Sequence, residues 1–277
     1  MEIYNRLSGN ISKKTTQAYS TSFSWAIKLL DKEIHQPIYN IYGFVRLADE
    51  IVDSFHGYNK EKLLDDFEAA TWLSLQEGIS VNPILQSFQK TVNEFHIDKE
   101  LIESFFYSMR MDLHKTHHDT DSYNKYIYGS AEVVGLMCLK VFCKGNQTEY
   151  DRLSPFAKRL GMAFQKINFL RDLEDDSVNK GRQYFPSLQE DRLTTDVKAE
   201  IEKDIHQDFK QAFNGIRMLP SNAKLGVYCA YCYYVELLNK IQRSTIGDLL
   251  QNRIRVTNSR KLFLMLSAVL RVRFNQV

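Results

Sequence analysis

Gln165-Lys166-Ile167-Asn168-Phe169-Leu170-Arg171-Asp172-Leu173-Glu174-Asp175-Asp176 places polar side chains four positions apart inside an apolar helical pattern. On a helix, positions i and i+4 lie on one face, so Asn168, Asp172 and Asp176 point the same way. About 120 residues earlier, Arg46-Leu47-Ala48-Asp49-Glu50-Ile51-Val52-Asp53 repeats the arrangement, with Asp49 stacked over Asp53. Like charges on a core-facing surface are unfavourable unless a cation lies between them. Mg²⁺ favours carboxylate oxygens, keeps several waters and bridges to substrate phosphates, so two or three such ions around one diphosphate would meet the need, with Mn²⁺ an alternative. Arg46 and Arg171, one beside each cluster, would add charge-assisted bonds to phosphate oxygens. Solvated surface carboxylates are the plainer reading of either cluster alone, and the matched pair with apolar flanks argues against it. A di-iron carboxylate bundle wants Glu-x-x-His pairs, which neither cluster contains.

Helical periodicity extends outward from these clusters over most of the chain. It predicts helices near 12–30, 37–56, 60–78, 82–95, 98–115, 121–143, 147–177, 193–219, 221–241 and 259–273. Pro37, Pro83, Pro155 and Pro220 fall near predicted helix starts, where a missing N–H matters least, and Pro186 closes a predicted loop over 179–186. With no strand-like alternation, linker or repeat, the expectation is one all-α domain, a helical bundle over residues 1–277.

Composition narrows the function classes. The 277 residues are 44% apolar and 25% charged, ordinary for a globular protein, and the net charge of +2 points to no nucleic-acid partner. There is no signal peptide and no apolar run of membrane-spanning length; the longest candidate, Leu225 to Leu238, is short and carries Glu236. Cys229 and Cys232 have redox-like spacing, but their Tyr-rich apolar setting reads as buried thiols in a reducing cytoplasm. His114, His117 and His118 lack the companions of a zinc site and read as a polar helix end. No Gly-rich dinucleotide fingerprint is present. The segment Arg253, Arg255, Arg260, Lys261 and then Leu262-Phe263-Leu264-Met265-Leu266 reads as a core helix with a charged rim or, alternatively, as peripheral contact with the inner face of a membrane through lipid headgroups.

At five blocks, in order, the chain resembles the squalene/phytoene synthase family of head-to-head prenyl synthases, the bacterial phytoene-forming type most of all. The blocks are Ser22-Phe23; Tyr42-Gly43-Phe44-Val45-Arg46-Leu47-Ala48-Asp49-Glu50-Ile51-Val52-Asp53; the central segment from Tyr126 through Gly129, Ala131 and Gly135; Leu160-Gly161-Met162-Ala163-Phe164-Gln165 running on to Asp172; and Gly181-Arg182-Gln183-Tyr184-Phe185-Pro186. The resemblance implies an isoprenoid-synthase fold around a deep central cavity. It also implies Mg²⁺-dependent condensation of two geranylgeranyl diphosphates through a cyclopropylcarbinyl diphosphate to phytoene, in carotenoid biosynthesis, with NADPH not expected. The C15 version, using farnesyl diphosphate to give dehydrosqualene, squalene or presqualene diphosphate, stays open, as does a non-catalytic helical protein that binds prenyl chains or a partner.

Carried over residue by residue, the resemblance makes Asp49, Asp53, Asn168, Asp172 and Asp176 the metal ligands. It counts Asp49, Asp53, Tyr126, Asp172 and Asp176 as catalytic. Ser22, Phe23, Arg46, Tyr126, Gln165, Asn168, Arg171 and Tyr234 contact substrate or line the site. Three positions depart from the family pattern. Glu50 replaces an aspartate, Thr21 stands where lysine is frequent, and Glu132 stands where glycine is usual.

Overall fold

The computed structural model describes residues 1–176, 180–188 and 193–277. Helix α1 (Glu2–Tyr19) and α2 (Thr21–Ile27) lead into α3 (Lys32–Asp53), α4 (Lys60–Glu77), α5 (Pro83–Phe95) and α6 (Lys99–His114). Then α7 (Thr120–Ile127) runs through a π-helical turn, Tyr128–Glu132, into α8 (Val133–Phe142). The long helices α9 (Gln147–Arg171), α10 (Thr195–Met218) and α11 (Ser221–Arg243) follow, with α12 (Ile246–Leu249) and α13 (Asn258–Arg273) after them. Among the described residues there is no strand, only an isolated bridge between His117 and Gln183. The expectation of an all-α chain therefore holds.

Local chemistry accounts for the helix ends. Asn59, Asn82, Asp119, Asn146 and Thr194 each accept a backbone N–H of the following first turn through their side chains. Pro83 occupies the first position of α5, and Gly78 closes α4 in the left-handed conformation at φ 69°. Packing supplies the stability these short-range signals do not. Phe44 of α3 is wholly buried and stacks on Phe88 of α5 at 3.8 Å, ringed by Phe67, Phe105 and Phe106. Burying each such ring contributes about 1.5–3 kcal/mol. On the other side, buried Lys166 of α9 pairs with Asp204 and, at 2.6 Å, with Asp208 of α10, so the charges are matched where water is excluded.

Several expected boundaries are corrected. The helix foreseen over 12–30 begins at Glu2 and is cut at Ser20, whose extended backbone lets its hydroxyl accept the Phe23 N–H at 3.2 Å. Pro37 and Pro155 lie inside α3 and α9 rather than near their starts. Each removes one helical N–H, leaving the carbonyls of Glu33 and Asp151 without their i+4 donor. The helix foreseen over 121–143 is continuous but contains the π turn. That turn is pressed between neighbours: a Cβ on Gly129 would lie 2.1 Å from the Ser104 carbonyl oxygen of α6, and one on Gly161 of α9 would lie 2.8 Å from that of Ala131. Two glycines thus let α6 and α9 grip the wide turn, which begins two residues after Tyr126. The helix foreseen to 177 breaks at Asp172 (φ −102°, ψ 17°), although the backbone bonds Asp172 N to Asn168 O and Asp176 N to Asp172 O keep the four-residue spacing. Its end at 177, and Asn179 of the predicted loop, lie outside the described residues.

Candidate active site

Two cavities meet at the ends of α3 and α9. The larger, about 790 Å³, is mostly apolar and runs between α2, α3, α8, α9 and α11. The second, about 680 Å³, is polar and holds the acidic clusters. Arg46, Asp49, Tyr126, Gln165, Asn168, Arg171 and Arg253 line both, so they form the junction. Along α9 the apolar cavity touches residues from Leu153 to Arg171, about 27 Å at 1.5 Å per residue.

Every candidate residue lines one chamber or the other. Ser22, Phe23 and Tyr234 face the apolar one, while Asp53, Asp172 and Asp176 face the polar one. Tyr234 stacks on Phe164 at 3.8 Å with Phe23 against it at 6.1 Å, and its hydroxyl donates to Asn168 Oδ1 at 3.3 Å. Asn168 in turn donates to Gln165 Oε1 at 3.4 Å. The aromatic wall is thereby tied to the second cluster. Glu132 lines neither chamber; burial raises its carboxyl, and Lys158 and Arg159 oppose the rise.

The two clusters face each other across cations. Lys180 Nζ lies 3.1 Å from Asp53 and 3.3 Å from Asp176, one carboxylate from each cluster. Arg182 donates to Asp53 Oδ1 at 2.8 Å and lies 3.5 Å from Asp112 Oδ1. Asp172 is held from two sides, by Arg171 Nε at 2.9 Å and Arg253 Nε at 2.6 Å. Arg46 pairs with Glu50, and its guanidinium lies over the Tyr19 ring at 4.2 Å. Glu50 therefore serves Arg46, and Asp49 and Asp53 are the first-cluster groups left to the chamber.

Burial pushes the Asp49 carboxyl from 3.8 up to about 7, with Arg46 opposing and Asp53 adding to it. Its side chain is 33% exposed, but that exposure opens into the cavities. Burial likewise pushes Asp176 up from 3.8 to about 7, with Lys180 opposing and Asp172 adding. Burial alone would also raise Asp53, yet Lys180 and Arg182 hold it below the usual carboxylate value.

The sign of the resulting pH dependence follows. In the unfolded chain Asp49 and Asp176 lose protons near 3.8 and in the folded chain near 7, so the folded state binds more protons between those values. Their contribution to stability therefore shrinks as pH rises through that window. The urea midpoint of the metal-free protein should fall from its lower to its upper end, and the Asp49→Asn/Asp176→Asn variant should show a flatter profile. Added Mg²⁺, which needs the ionised carboxylates, should raise the midpoint most at the upper end.

The sequence placed none of Asp112, Lys180, Arg182, Tyr184 or Arg253 in the site, and Arg253 reads there only as part of the basic segment near the C-terminus. Asp112 of α6 accepts from Tyr126 at 2.8 Å and from Tyr184 at 2.9 Å. Burial pushes its carboxyl up to about 6 despite Arg182. Burial and Asp112 together keep Tyr126 protonated far above its ordinary range, so its hydroxyl acts as a donor. The signal for Asp112 was its place on the buried stripe of Phe105 and Met109. Arg182 and Tyr184 lie in the motif over 181–186, but only the fold brings Arg182 to Asp53 and Tyr184 to Asp112. His118, expected at a polar helix end, is instead buried against Tyr126 and Tyr184, at ring distances of 5.2 and 5.6 Å.

The donor set fits hard divalent cations. Carboxylates from both clusters converge on one positive charge, the Lys180 ammonium, so the facing pair is arranged to accept a cation. Among the described residues no three acidic, His or Cys side chains are grouped to hold a metal ion by themselves, so a bound cation would need phosphate and water oxygens besides. Arg46 Nε is buried without a partner at the junction of the chambers, a donor suited to a phosphate oxygen.

Comparison with known proteins gives the family and the fold. Residues 16–260 match the family model described as squalene/phytoene synthase. Phytoene synthase 1, chloroplastic, of Solanum lycopersicum is 27% identical over 263 residues, 88% of this chain and 63% of that protein. The 4,4'-diapophytoene synthase of Staphylococcus haemolyticus is 27% identical over 188 residues, 67% of this chain and 65% of that protein. The chain spans a little under two thirds of the length of these two relatives. A crystal structure of a dehydrosqualene synthase in complex with ligand superposes with TM-score 0.81 at 21% identity, covering 97% of this chain and 98% of that one; it shares the all-α fold.

Proposed function

The chain belongs to the squalene/phytoene synthase family, and from that premise we propose that it condenses two geranylgeranyl diphosphates head to head into phytoene. The observation that carries the reading is the junction itself: a polar chamber with carboxylates on two walls opens directly into a long apolar one. Diphosphate and prenyl chain need those two environments side by side.

Asp49 and Asp53 on α3, with Asn168, Asp172 and Asp176 at the end of α9, would hold Mg²⁺, whose contribution is to neutralise the diphosphate and make it a better leaving group. The chain's own groups do the rest. Arg46, Arg171 and Arg253 turn from carboxylates to phosphate oxygens and fix the substrate's head. The allylic C–O bond breaks and its electron pair leaves with the diphosphate. The π electrons of the second substrate's double bond fill the vacancy, and loss of one proton closes the cyclopropane. The second ionisation expels the remaining diphosphate, the carbon skeleton rearranges, and loss of another proton gives phytoene with no reductant. Phe23, Phe164 and Tyr234 face the junction, where their π faces attract a cation that water would quench. The reading places the protein in a reducing cytoplasm, supported by its four free cysteines.

Incubation with Mg²⁺ and geranylgeranyl diphosphate should yield phytoene equally with and without NADPH. A C30 hydrocarbon from farnesyl diphosphate alone would reassign the chain to the shorter reaction. Absence of product from either substrate would leave a prenyl-binding protein without catalysis.

A further inference from the structure

Helix α13 is apolar on two opposite sides. Ala268 is buried, and Leu264, Met265 and Val272 pack with it against Tyr228 and Tyr233 of α11. Leu262, Leu266, Leu270 and Phe274, spaced four apart, form a separate stripe that is 46–68% exposed, with Phe263 beside it at 59%. The stripe runs about 18 Å along the helix. Single exposed apolar residues are ordinary, but five contiguous ones on a single helix face mark a contact surface.

Charge indicates what covers it. Residues 249–277 carry six basic side chains and no acidic one. All 34 acidic residues and 30 of the 36 basic ones lie earlier, so the rest of the chain is net negative. Arg260 is taken by Glu236 at 2.9 Å, and Arg253 by Asp172. Arg255 and Arg273 are exposed and have no side-chain partner among the described residues. An apolar helix face with unpaired cations at its two ends matches the interfacial region of an anionic bilayer. The face is also continuous with the cavity rim: Arg253, Arg255, Asn258 and Lys261 line the apolar chamber, and Lys261 donates to Thr21 of α2 across its mouth at 2.8 Å.

We propose that α13 docks on an anionic lipid bilayer, its outer apolar face entering the headgroup boundary, with the mouth of the apolar cavity held against the membrane surface. No helix among the described residues is long and apolar enough to cross a membrane, so the contact is peripheral. Docking goes beyond the catalytic reading and stands whether or not the cavity turns over a prenyl diphosphate.

The test is flotation of the full chain with phosphatidylcholine vesicles, with and without phosphatidylglycerol, at low salt. The wild-type chain should float with the anionic vesicles and stay at the bottom with the neutral ones. Leu266→Glu/Leu270→Glu should abolish flotation, and Arg255→Glu/Arg273→Glu should weaken it at least about tenfold, from about 1 kcal/mol per basic residue near the surface. Circular dichroism melting checks that each variant is folded; if the first melts early, Phe263→Ser/Phe274→Ser reads the same face. Failure of the wild-type chain to float overturns the proposal, as does flotation unchanged by the apolar substitutions. Light scattering provides the remaining outcome: a wild-type dimer that the apolar substitutions convert to monomer, with no flotation, would assign the face to a second copy of the chain and overturn lipid docking.

Discussion

Asp172→Asn should lower turnover by about 10²–10³-fold, the size of effect seen when one preorganised charge-stabilising group is lost at a reacting centre. The substitution keeps the shape of the side chain and one acceptor oxygen, removes the charge and turns the other acceptor into an N–H donor that faces a guanidinium. Asp172 is the carboxylate gripped by both Arg171 and Arg253, so it sets the position of two cations as well as standing in the metal-ligand set. Its neutral form would let both guanidiniums drift and would weaken Mg²⁺ binding together. Stability should change by no more than about 1 kcal/mol, because these ion pairs line an open polar chamber. Steady-state kinetics at saturating Mg²⁺, with a thermal melt alongside, separates the two effects. Turnover near that of the parent would remove Asp172 from the site.

Arg182→Ala should have its largest effect on stability, about 3–5 kcal/mol, the range for taking one partner from a buried ion pair. The Arg182 side chain is 9% exposed and that of Asp112 is 5%, while Asp53 is held by Arg182 at 2.8 Å. Removal leaves Asp112 buried with, among the described residues, the two tyrosine hydroxyls to support its charge. In the Arg182→Ala background, Asp112→Asn should recover part of the loss, since a neutral amide leaves no buried charge unpaired: its oxygen accepts from one of the two tyrosine hydroxyls and its N–H can donate to the other. Urea unfolding of the two single variants and the double variant measures that coupling; strictly additive effects would show that Arg182 and Asp112 do not act as a pair.

The carboxylate clusters could be read without coordinates because a helix imposes its own period: Asp49 with Asp53, and Asn168 with Asp172 and Asp176, share faces wherever their helices end up. The break at Ser20 and the π turn at Tyr128–Glu132 were not legible, because each depends on a neighbour. Ser20 turns the chain so that α2 can line the cavity, and the π turn exists where α6 and α9 close on Gly129 and Gly161. Pro37 and Pro155 misled for the same reason: tertiary packing outweighs one lost helical bond.

By itself, the sequence determined the all-α class, the two acidic faces and the family, each encoded in spacings of a few residues. The tertiary structure decided which cations sit opposite those faces. Lys180 reaches Asp53 across 127 positions of chain, Arg253 reaches Asp172 across 81, and Tyr184 reaches Asp112 across 72. A charge finds its partner by proximity in space, and over such separations only the packing of the whole bundle sets that distance.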